Sequence, residues 1–324
     1  MKFFNRFAVS LLASVLCAST LFAMPVDAKK TTKRRQPTQA ELAAAAALQA
    51  AIDERYNKEI ESNSWENWPA GPQVYAESAI VMEASTGTIL YSKAIDEQHY
   101  PASITKIMTA MLALKYGNMD DVVTITQENL NLEEGSQVCG FWAGDQVTMD
   151  QLLHCLLVYS GNDAAAAIAE HVGGSTDGFV EMMNSYAREL GCTGTHFTNP
   201  HGLQDENHYT TPYDIYLMLK EALNYPEFTQ ITQSGSYTVE YTHADGSSAS
   251  TTLLATDHYL TGEATPPKNV TILGGKTGTT DNAGNCLALL SQNAYGKPYI
   301  SIVMGASTKD ELYEQMSSLL QNIN

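Results

Sequence analysis

Apolar positions recur with two different periods along this chain, and they predict strands near both ends of a domain with helices between them. The β-branched runs 79–82 and 88–91 flank the turn Ser85-Thr86-Gly87, which is the pattern of a β-hairpin. Amphipathic helical patterns occupy residues 104–116, 149–158, 164–172, 178–190, 212–223 and about 310–321. Further strand patterns lie at residues 237–242, 270–273, 286–290 and 299–304.

This order of elements predicts an α+β fold with one mostly antiparallel sheet, flanking helices and a helical insertion. We expect the first and last strands to meet in the sheet, because strands that enclose a run of helices in the sequence usually share one layer. A functional site is then expected where the sheet meets the helical insertion.

The segment before this domain has a different composition. Residues 39–61 are rich in Ala with Glu and Lys, so helix propensity is high while the apolar side is mostly small. We interpret this stretch as a peripheral helix or a stalk. Residues 62–72, with two tryptophans, two prolines and a glycine, have the composition of a linker.

The N-terminus has the pattern of a secretory signal peptide. Lys2 and Arg6 precede an apolar run at 7–22, which is too short to span a bilayer, and the ending Val26-Asp27-Ala28 suits cleavage after Ala28. An uncleaved anchor is one alternative, and a lipoprotein through Cys17 is a second, which Leu16 immediately before it disfavours. We therefore divide the chain into a signal peptide at 1–28, a basic and Ala-rich helical segment with a linker at 29–72, and the main domain at 73–324. The mature protein is expected to be secreted or extracytoplasmic and associated with the cell envelope.

Composition and charge narrow the class of protein further. The chain has 324 residues, of which 44% are hydrophobic, so it can bury a substantial core. Its formal net charge of −18 at pH 7 argues against nucleic acid as a partner, since an acidic surface repels phosphates. The basic residues within 29–35 are expected to be solvated, or to touch an anionic envelope surface.

The cysteines are too sparse for a disulfide scaffold. Four remain after the signal peptide, without the C-x-x-C spacing of zinc or redox sites. Free thiols are favoured over one or two bridges, and Cys155 in an apolar run is expected to be a small buried hydrophobe. The four are Cys139, Cys155, Cys192 and Cys286.

Ser103 and Lys106 belong to the first of three short strings whose side chains could take part in catalysis or substrate binding. They lie three residues apart at the start of a predicted helix, so both side chains project from one face. A serine needs a base to become a nucleophile, and Lys106 can be that base where burial and a neighbouring cation such as Lys276 keep it partly neutral. Alone the string is weak, because chance produces it often.

Ser160-Gly161-Asn162 follows a predicted helix, where a tight turn can present two polar side chains to a cleft. Ser160 can pass a proton toward a leaving amine, and Asn162 can bind a substrate amide and orient Lys106. An ordinary helix stop followed by an N-cap is the structural alternative.

Lys276-Thr277-Gly278 is the most specific of the three strings. It follows strand 270–273 and a Gly-Gly pair, so it is expected on or beside a strand edge. Lys276 and Thr277 suit a substrate carboxylate, and Gly278 permits close approach of the backbone. The N–H of Thr279 can join that of Ser103 as an oxyanion hole. A turn with a solvated lysine is the alternative.

The order and surroundings of these strings resemble the serine D-alanyl-D-alanine carboxypeptidases among the low-molecular-weight penicillin-binding proteins, which have a β-lactamase/transpeptidase-like fold. The resemblance covers about residues 78–307. It rests on Ser78-Ala79-Ile80-Val81-Met82-Glu83-Ala84-Ser85-Thr86-Gly87, Pro101-Ala102-Ser103-Ile104-Thr105-Lys106, Ser160-Gly161-Asn162-Asp163-Ala164-Ala165, Asn199-Pro200-His201-Gly202-Leu203 and Gly275-Lys276-Thr277-Gly278.

The resemblance implies a function and a role for each matched residue. Ser103 would be the acylated nucleophile, Lys106 its proton acceptor and Ser160 a proton relay. The substrate would be a peptidoglycan stem peptide ending in D-Ala-D-Ala, with β-lactams as covalent inhibitors, and no metal or organic cofactor or protein partner is implied. The remaining residues would bind substrate: Asn162, Lys276, Thr277, Gly278 and Thr279.

The chain departs from the family pattern in two respects. Thr279 stands where the family commonly has an aromatic residue or histidine, which leaves the backbone donor but affects the expected subsite preference. Many members continue into a β-rich second domain and an amphipathic membrane anchor, and we expect neither here, because the chain ends 46 residues after Gly278.

Three other functions compete with a carboxypeptidase. A β-lactamase needs an extra carboxylate to activate water, and Glu181 offers one, but its neighbours describe an amphipathic helix. His196, His201 and His208 suggest a metal site, but their spacing lies in an irregular loop and differs from that of helix-borne zinc pairs. A non-catalytic wall-binding module is the third. Trimming, D,D-endopeptidase cleavage and transpeptidation all suit the same strings.

Overall fold

The computed structural model describes residues 37–323, so the predicted signal peptide and the basic residues after it lie outside the described part. The chain divides after Ala47 into two units. Of the first, the described residues are 37–47, which begin a long helix; the second, from Leu48, contains both sheets and the other helices. No helix within residues 37–323 combines the length and apolar character needed to cross a membrane.

The described α-helices include both long packing helices and short connecting ones. In chain order they are α1 Gln39–Asn57, α2 Lys106–Tyr116, α3 Met149–His154, α4 Asn162–Gly173, α5 Thr176–Glu189, α6 Pro212–Ala222, α7 Pro226–Thr232, α8 His258–Thr261 and α9 Lys309–Leu320. Single turns of 3₁₀-helix cover Glu61–Ser64, Ala102–Thr105 and Gln321–Ile323, and a π-helical turn covers Cys155–Tyr159.

The strands form two antiparallel sheets. They are β1 Ser78–Glu83, β2 Thr88–Lys93, β3 Val122–Thr124, β4 Gln146–Thr148, β5 Ser236–Thr242, β6 Ser248–Leu254, β7 Thr271–Thr280, β8 Gly284–Gln292 and β9 Pro298–Ala306. The larger sheet has the order β2-β1-β9-β8-β7 and the smaller one β3-β4-β5-β6. Strand β1 pairs with β9 along its whole length, from Ser78 opposite Met304 to Glu83 opposite Tyr299.

The α+β prediction is therefore confirmed, including the meeting of the first and last strands. The expectation of one sheet is corrected to two, because strand 237–242 pairs in the smaller sheet rather than the larger. Strands β3 and β4 have three residues each, which is too short for an alternating pattern to appear in the sequence.

The larger sheet is buried on both faces, which explains why β8 and β9 are almost continuously apolar. Ile80 and Met82 face the main core with the helical insertion, whereas Ala79 and Val81 face a second core. That second core contains residues of α9 and of the segment before β1. Its members from these two regions are Leu312, Tyr313, Met316, Leu319, Leu320, Ile60, Val74 and Ala76.

Strand β7 is longer than the apolar pattern at 270–273 suggested. It continues through Gly274 and Lys276 to Thr280, with an irregularity between Ile272 and Gly274. Glycine and polar residues have low strand propensity, but β8 pairs with β7 along this whole stretch and holds it extended. The Lys-Thr-Gly string thus lies within the outermost strand of the larger sheet.

Candidate active site

Ser103 lies in a single 3₁₀ turn that leads directly into α2, whose first residue is Lys106. The residue before the serine, Ala102, has φ of 46°, a left-handed conformation that non-glycine residues rarely adopt. Thr105 stabilises the turn, since its hydroxyl donates to the Ala102 carbonyl at 2.8 Å. The turn therefore holds Ser103 and Lys106 close together, as the spacing predicted.

Lys106 is fully buried, and its ammonium group contacts three acceptors. Its Nζ lies 2.9 Å from Ser103 Oγ, 2.7 Å from Asn162 Oδ1 and 2.7 Å from the His201 carbonyl oxygen. A neutral amine has two N–H bonds and one lone pair. Because the two carbonyl oxygens can only accept, the neutral amine must direct its lone pair at the Ser103 hydroxyl. The geometry fixes the direction in which a proton can move.

The environment of Lys106 favours this neutral form. Burial lowers its pKa well below the ordinary lysine value, and the charge of Lys276 lowers it further. The Asp163 carboxylate nearby acts in the opposite direction. A lysine with a depressed pKa can accept a proton near neutral pH, which an exposed lysine cannot.

Ser160 and Asn162 reach the same site from the helical insertion. The π-helical turn Cys155–Tyr159 ends at Ser160, which has φ of 73°, and α4 begins at Asn162. The N–H of Gly161 donates to the Cys155 carbonyl at 3.0 Å. Positive φ and the π turn expose the serine at a helix junction, so the string is more than an ordinary helix stop.

Lys276 lies on β7, and its side chain contacts Ser160. Its Nζ donates to Ser160 Oγ at 2.9 Å and to the Thr277 carbonyl at 2.9 Å. Burial lowers its pKa to about 7, and the charge of Asp257 acts to raise it. Lys276 is fully enclosed, so the solvated-lysine alternative is wrong.

The rest of the Lys-Thr-Gly string lies against the nucleophile turn. A methyl group on Gly278 would come within 2.8 Å of the Pro101 carbonyl oxygen and 3.0 Å of the Ser103 nitrogen, so only glycine fits without movement. Thr277 Oγ1 lies 2.6 Å from Thr256 Oγ1. Thr279 Oγ1 donates to Asn285 Oδ1 at 3.2 Å, which directs its side chain along the sheet.

These groups surround a cavity of about 230 Å³. Six of the eight predicted site residues line it, and the two lysines lie in its walls behind Ser103 and Ser160. No Asp or Glu is among the described residues that line it. The lining residues used below are Ser103, Ser160, Asn162, Thr277, Gly278, Thr279, Ser136, Gln137, Thr256, His258, Lys309 and Tyr313.

Sequence reasoning missed one wall of this cavity. Ser136 and Gln137 belong to the long connection between β3 and β4, and the Gln137 carbonyl accepts from the Asn162 N–H at 2.8 Å. Buried Asp163 fixes this connection, because its carboxylate accepts from the Cys139 N–H at 2.8 Å and the Gly140 N–H at 3.2 Å. A buried acid next to Asn162 was the only available signal.

Sequence reasoning also did not predict the opposite wall of the cavity, which includes His258 and Tyr313. His258 stacks on Tyr313 with ring centroids 4.6 Å apart, and the Tyr313 hydroxyl accepts from the His258 N–H at 2.8 Å. Asp257, the residue before His258, is buried. Its Oδ1 accepts from the Tyr259 N–H at 2.9 Å, whereas its Oδ2 has no hydrogen-bond partner. Tyr313 belongs to the last helix, so its place at the site depends on tertiary packing alone.

The residues of the competing interpretations lie elsewhere or have structural contacts. Glu181 is exposed on α5 and does not line the cavity. His208 contacts Thr105 Oγ1 at 2.8 Å, and burial lowers the pKa of His208 to about 4 and that of His201 to about 3. The described residues contain no group of three or more side chains that could hold a metal ion. The four cysteines within residues 37–323 are buried and free.

A cavity-lining serine paired with a buried lysine, between an antiparallel sheet and a helical insertion, is the arrangement of active-serine acyl-transfer enzymes. The family model described as D-alanyl-D-alanine carboxypeptidase matches residues 65–308. The chain therefore belongs to the D-alanyl-D-alanine carboxypeptidase family, and the resemblance stated from the motifs is confirmed.

Individual proteins described as D-alanyl-D-alanine carboxypeptidases are also similar to this chain. The chain is 37% identical over 250 residues to the D-alanyl-D-alanine carboxypeptidase DacF of Bacillus subtilis, covering 76% of this chain and 61% of that protein. It is 33% identical over 261 residues to DacC of Escherichia coli, covering 77% and 61%. The crystal structure of the Streptomyces K15 DD-transpeptidase matches with a TM-score of 0.73 and 29% identity, covering 78% of this chain and 98% of that one. The chain thus spans about three fifths of the length of these two curated relatives.

Proposed function

We propose that this chain is an exported serine carboxypeptidase of the cell envelope. It removes the terminal D-Ala from peptidoglycan stem peptides through an acyl-enzyme on Ser103, and β-lactams acylate the same serine. Family membership and the cavity geometry support this proposal. The N-terminal sequence pattern supports export.

The observation that carries the proposal is the hydrogen bonding of Lys106. Two carbonyl acceptors occupy its N–H bonds, so its lone pair faces Ser103 Oγ at 2.9 Å. As Ser103 attacks the carbonyl carbon of the penultimate D-Ala, its proton passes to Lys106 and negative charge forms on the substrate oxygen. We assign the stabilisation of that oxyanion to the N–H groups of Ser103 and Thr279, because Gly278, the residue before Thr279, packs closely against the Ser103 nitrogen.

The leaving group is the amine of the terminal D-Ala. Breaking the C–N bond requires a proton on that nitrogen, and we assign its delivery to Ser160, which lies 2.9 Å from Lys276 Nζ. The terminal carboxylate is bound by Lys276 and by Thr277, and Asn162 binds the peptide amide. The proton that Lys106 took from Ser103 replaces the one that Ser160 gives to the amine, so Lys106 is neutral again. It then accepts a proton from the water that attacks the Ser103 ester and returns that proton to Ser103 Oγ as the shortened peptide leaves.

Slow deacylation of β-lactams follows from the composition of the cavity. A β-lactamase activates water with an extra carboxylate, and the described residues that line this cavity include none. We therefore favour a carboxypeptidase that β-lactams trap over a β-lactamase.

Labelling with a fluorescent penicillin tests the acyl-enzyme. The mature protein should form a covalent label that Ser103→Ala abolishes and that Lys106→Ala slows by about 10³-fold, the scale of general base catalysis. Lys115→Ala is the matched control, because this lysine lies on the same helix but is exposed. A label that persists in Ser103→Ala would contradict the proposal.

Two further measurements identify the reaction. Release of D-Ala from a stem pentapeptide tests the substrate, and the lifetime of the penicillin label separates a slow carboxypeptidase from a β-lactamase. A wall-binding module without turnover would release no D-Ala and form no label.

Transfer of the acyl group to an amine is a second candidate reaction. The similarity to a protein described as a DD-transpeptidase favours it. Adding glycine or a D-amino acid to the pentapeptide assay distinguishes hydrolysis from transfer. A carboxypeptidase yields the hydrolysed tetrapeptide, whereas a transpeptidase yields the acceptor adduct at the expense of hydrolysis.

A further inference from the structure

An exposed aromatic surface lies beside the connection that forms one wall of the cavity. Trp142 retains 66% of its surface exposed although His243 stacks on one face of its ring, with centroids 4.6 Å apart and an interplanar angle of 18°. The opposite indole face is therefore open to solvent. We call this pair, Trp142 and His243, the aromatic platform.

Buried contacts hold the aromatic platform in place. Asp145 is 1% exposed, and its carboxylate accepts from the Trp142 N–H at 2.8 Å and contacts His243 Nδ1 at 2.7 Å. Tyr241 packs edge-on against both His243 and Phe141, with centroids 5.4 and 5.2 Å apart. One buried acid thus holds the backbone of Trp142 and the ring of His243, and the stacked His243 ring restrains the indole, so little side-chain entropy is lost when a ligand stacks on Trp142.

Glycine makes the underlying contact between the two segments possible. Gly144 has φ of +93°, and a methyl group there would come within 2.7 Å of the Ala244 side chain. The β3–β4 connection and the β5–β6 hairpin therefore meet directly beneath the pair. A preorganised surface of this kind differs from a single exposed apolar residue, which is common and needs no explanation.

Two chain segments connect the aromatic platform to the cavity. The β3–β4 connection carries Gln137 in the cavity wall and Trp142 in the platform. The β5–β6 hairpin carries His243 at its turn, and Thr256, two residues after its end, lines the cavity. The platform and the site that the proposed function uses therefore share two chain segments.

We propose that the aromatic platform binds an N-acetylated sugar of the glycan strand whose stem peptide occupies the cavity. This inference rests on the proposed function, and it assigns to the enzyme a second contact with the same polymer. The open indole face suits the C–H face of a pyranose ring, because stacking removes apolar surface of both from water.

Chain length makes simultaneous binding feasible. Five residues separate Gln137 from Trp142, so their Cα atoms lie at most ~18 Å apart. A stem peptide of about four residues links the sugar to the bond that the proposed reaction breaks, and when extended it spans up to ~14 Å. The two lengths are of the same order, so a sugar on Trp142 and a peptide end in the cavity are compatible with one glycan repeat.

The charge of the protein favours a neutral ligand at this position. The chain carries a formal net charge of −18, which opposes the approach of polyanions. An uncharged N-acetylhexosamine polymer meets no such repulsion. Among carbohydrate partners, the glycan is thus a better match than a phosphate-rich polymer.

Binding can be measured apart from turnover. We expect the tetramer of N-acetylglucosamine to bind the mature protein in calorimetry, and Trp142→Ala to weaken that affinity at least fivefold while Trp142→Phe retains most of it. Tyr295→Ala is the matched control, because Tyr295 is a still more exposed aromatic residue, at 85%, in the β8–β9 turn. Thermal unfolding of each variant should match the wild type.

Turnover then separates the platform from the catalytic groups. With uncrosslinked glycan strands carrying the stem peptide, Trp142→Ala should lower kcat/KM for D-Ala release at least fivefold, and with the free peptide kcat/KM should not change. Equal loss on both substrates, or no loss on either together with unchanged oligosaccharide affinity, would overturn the inference. If the wild-type protein releases no D-Ala at all, the proposed function fails and calorimetry alone decides whether the platform binds glycan.

Discussion

At the scale of single residues, the two buried lysines divide the electrostatic work of the site. The three acceptors of Lys106 suit a neutral base, whereas Lys276 must be charged to hold a carboxylate. Each lysine influences the other, because the charge on Lys276 lowers the pKa of Lys106. Asp257 acts to raise the pKa of Lys276, and we expect it to keep that lysine protonated.

The pH dependence of kcat/KM tests this division. The proposed reaction needs Lys276 protonated, and its pKa in the free enzyme is about 7, so kcat/KM for the pentapeptide should fall above pH 7. The slope of that limb should approach a tenfold loss per pH unit, or about 1.4 kcal/mol of transition-state stabilisation. Neutral Lys106 is also required, and its loss gives the acidic limb.

Substitution of the acid identifies the lysine responsible. Asp257→Asn removes the charge that raises the pKa of Lys276, so the alkaline limb should move to lower pH. Asp214→Asn is the control, since Asp214 is also buried but is not among the groups that shift the pKa of Lys276. An alkaline limb that stays in place in Asp257→Asn would assign that limb to another group.

At the scale of elements, the site depends on close approach between three backbone segments. Gly278 of β7 lies against the nucleophile turn from one side, and Gly202 lies against it from the other. A methyl group on Gly202 would fall 1.8 Å from the Ala102 carbonyl oxygen, which no side-chain rotation relieves. The carbonyl that precedes this glycine, that of His201, is an acceptor for Lys106.

Gly202→Ala should therefore damage the site more than its φ of +88° alone requires. A left-handed alanine costs about 1–2 kcal/mol of folding stability, and displacement of the Ser103 turn by about 1 Å should cost about 10²-fold in acylation rate. Gly262→Ala is the matched control, because its φ is +83° and nothing lies within 4 Å. Gly262→Ala should lose similar folding stability, because its backbone is also left-handed, but it should acylate at the wild-type rate. Equal acylation rates for the two variants would show that the contact of Gly202 with Ala102 is unimportant.

The helices and strands differ in how well their positions could be predicted from the sequence. Helices with strong periodicity and the hairpin of β1 and β2 were predictable, because their apolar positions repeat over several turns or alternations. The three strings of the proposed site were predictable because each lies within one local element: a helix start, a helix junction or an outer strand. Strands β3 and β4, of three residues each, carry no such pattern.

The other walls of the site were not predictable from local pattern. Gln137 and Tyr313 reach the cavity from a long connection and from the last helix, through packing between segments distant in the sequence. The length of β7 was underestimated for a related reason. Its second half is glycine-rich and polar, and pairing with β8 overrides that low propensity.

At the scale of the whole molecule, one buried cation joins the segment before β1 to the larger sheet. Lys93 ends β2 and is completely buried. Its Nζ donates to the carbonyls of Arg55 and Val74 at 2.7 Å and of Ala76 at 3.0 Å. Burial, followed by the charge of Lys58, lowers the pKa of Lys93 to about 8.

Lys93→Met should consequently destabilise the fold without altering the chemistry of the folded site. The methionine keeps the volume but leaves three enclosed carbonyls without their donor, at about 1–3 kcal/mol for each group fully deprived of a partner. Because water can reach part of this region, we expect a total loss of about 2–3 kcal/mol in the free energy of unfolding by denaturant at pH 7. Penicillin acylation of the folded protein should keep its wild-type rate.

The neighbouring surface pair provides the control for this prediction. Lys58 forms a salt bridge with Glu97, and their side chains are 33% and 53% exposed, so Lys58→Met should cost less than about 1 kcal/mol. The pH dependence gives a second readout. Between pH 8 and 10.5 the unfolded chain holds more protons on this lysine than the folded one, so the free energy of unfolding of the wild type should rise with pH relative to Lys93→Met. If Lys93→Met costs no more than Lys58→Met, the segment before β1 is held by its apolar contacts, with Ile60 and Val74 in the second core.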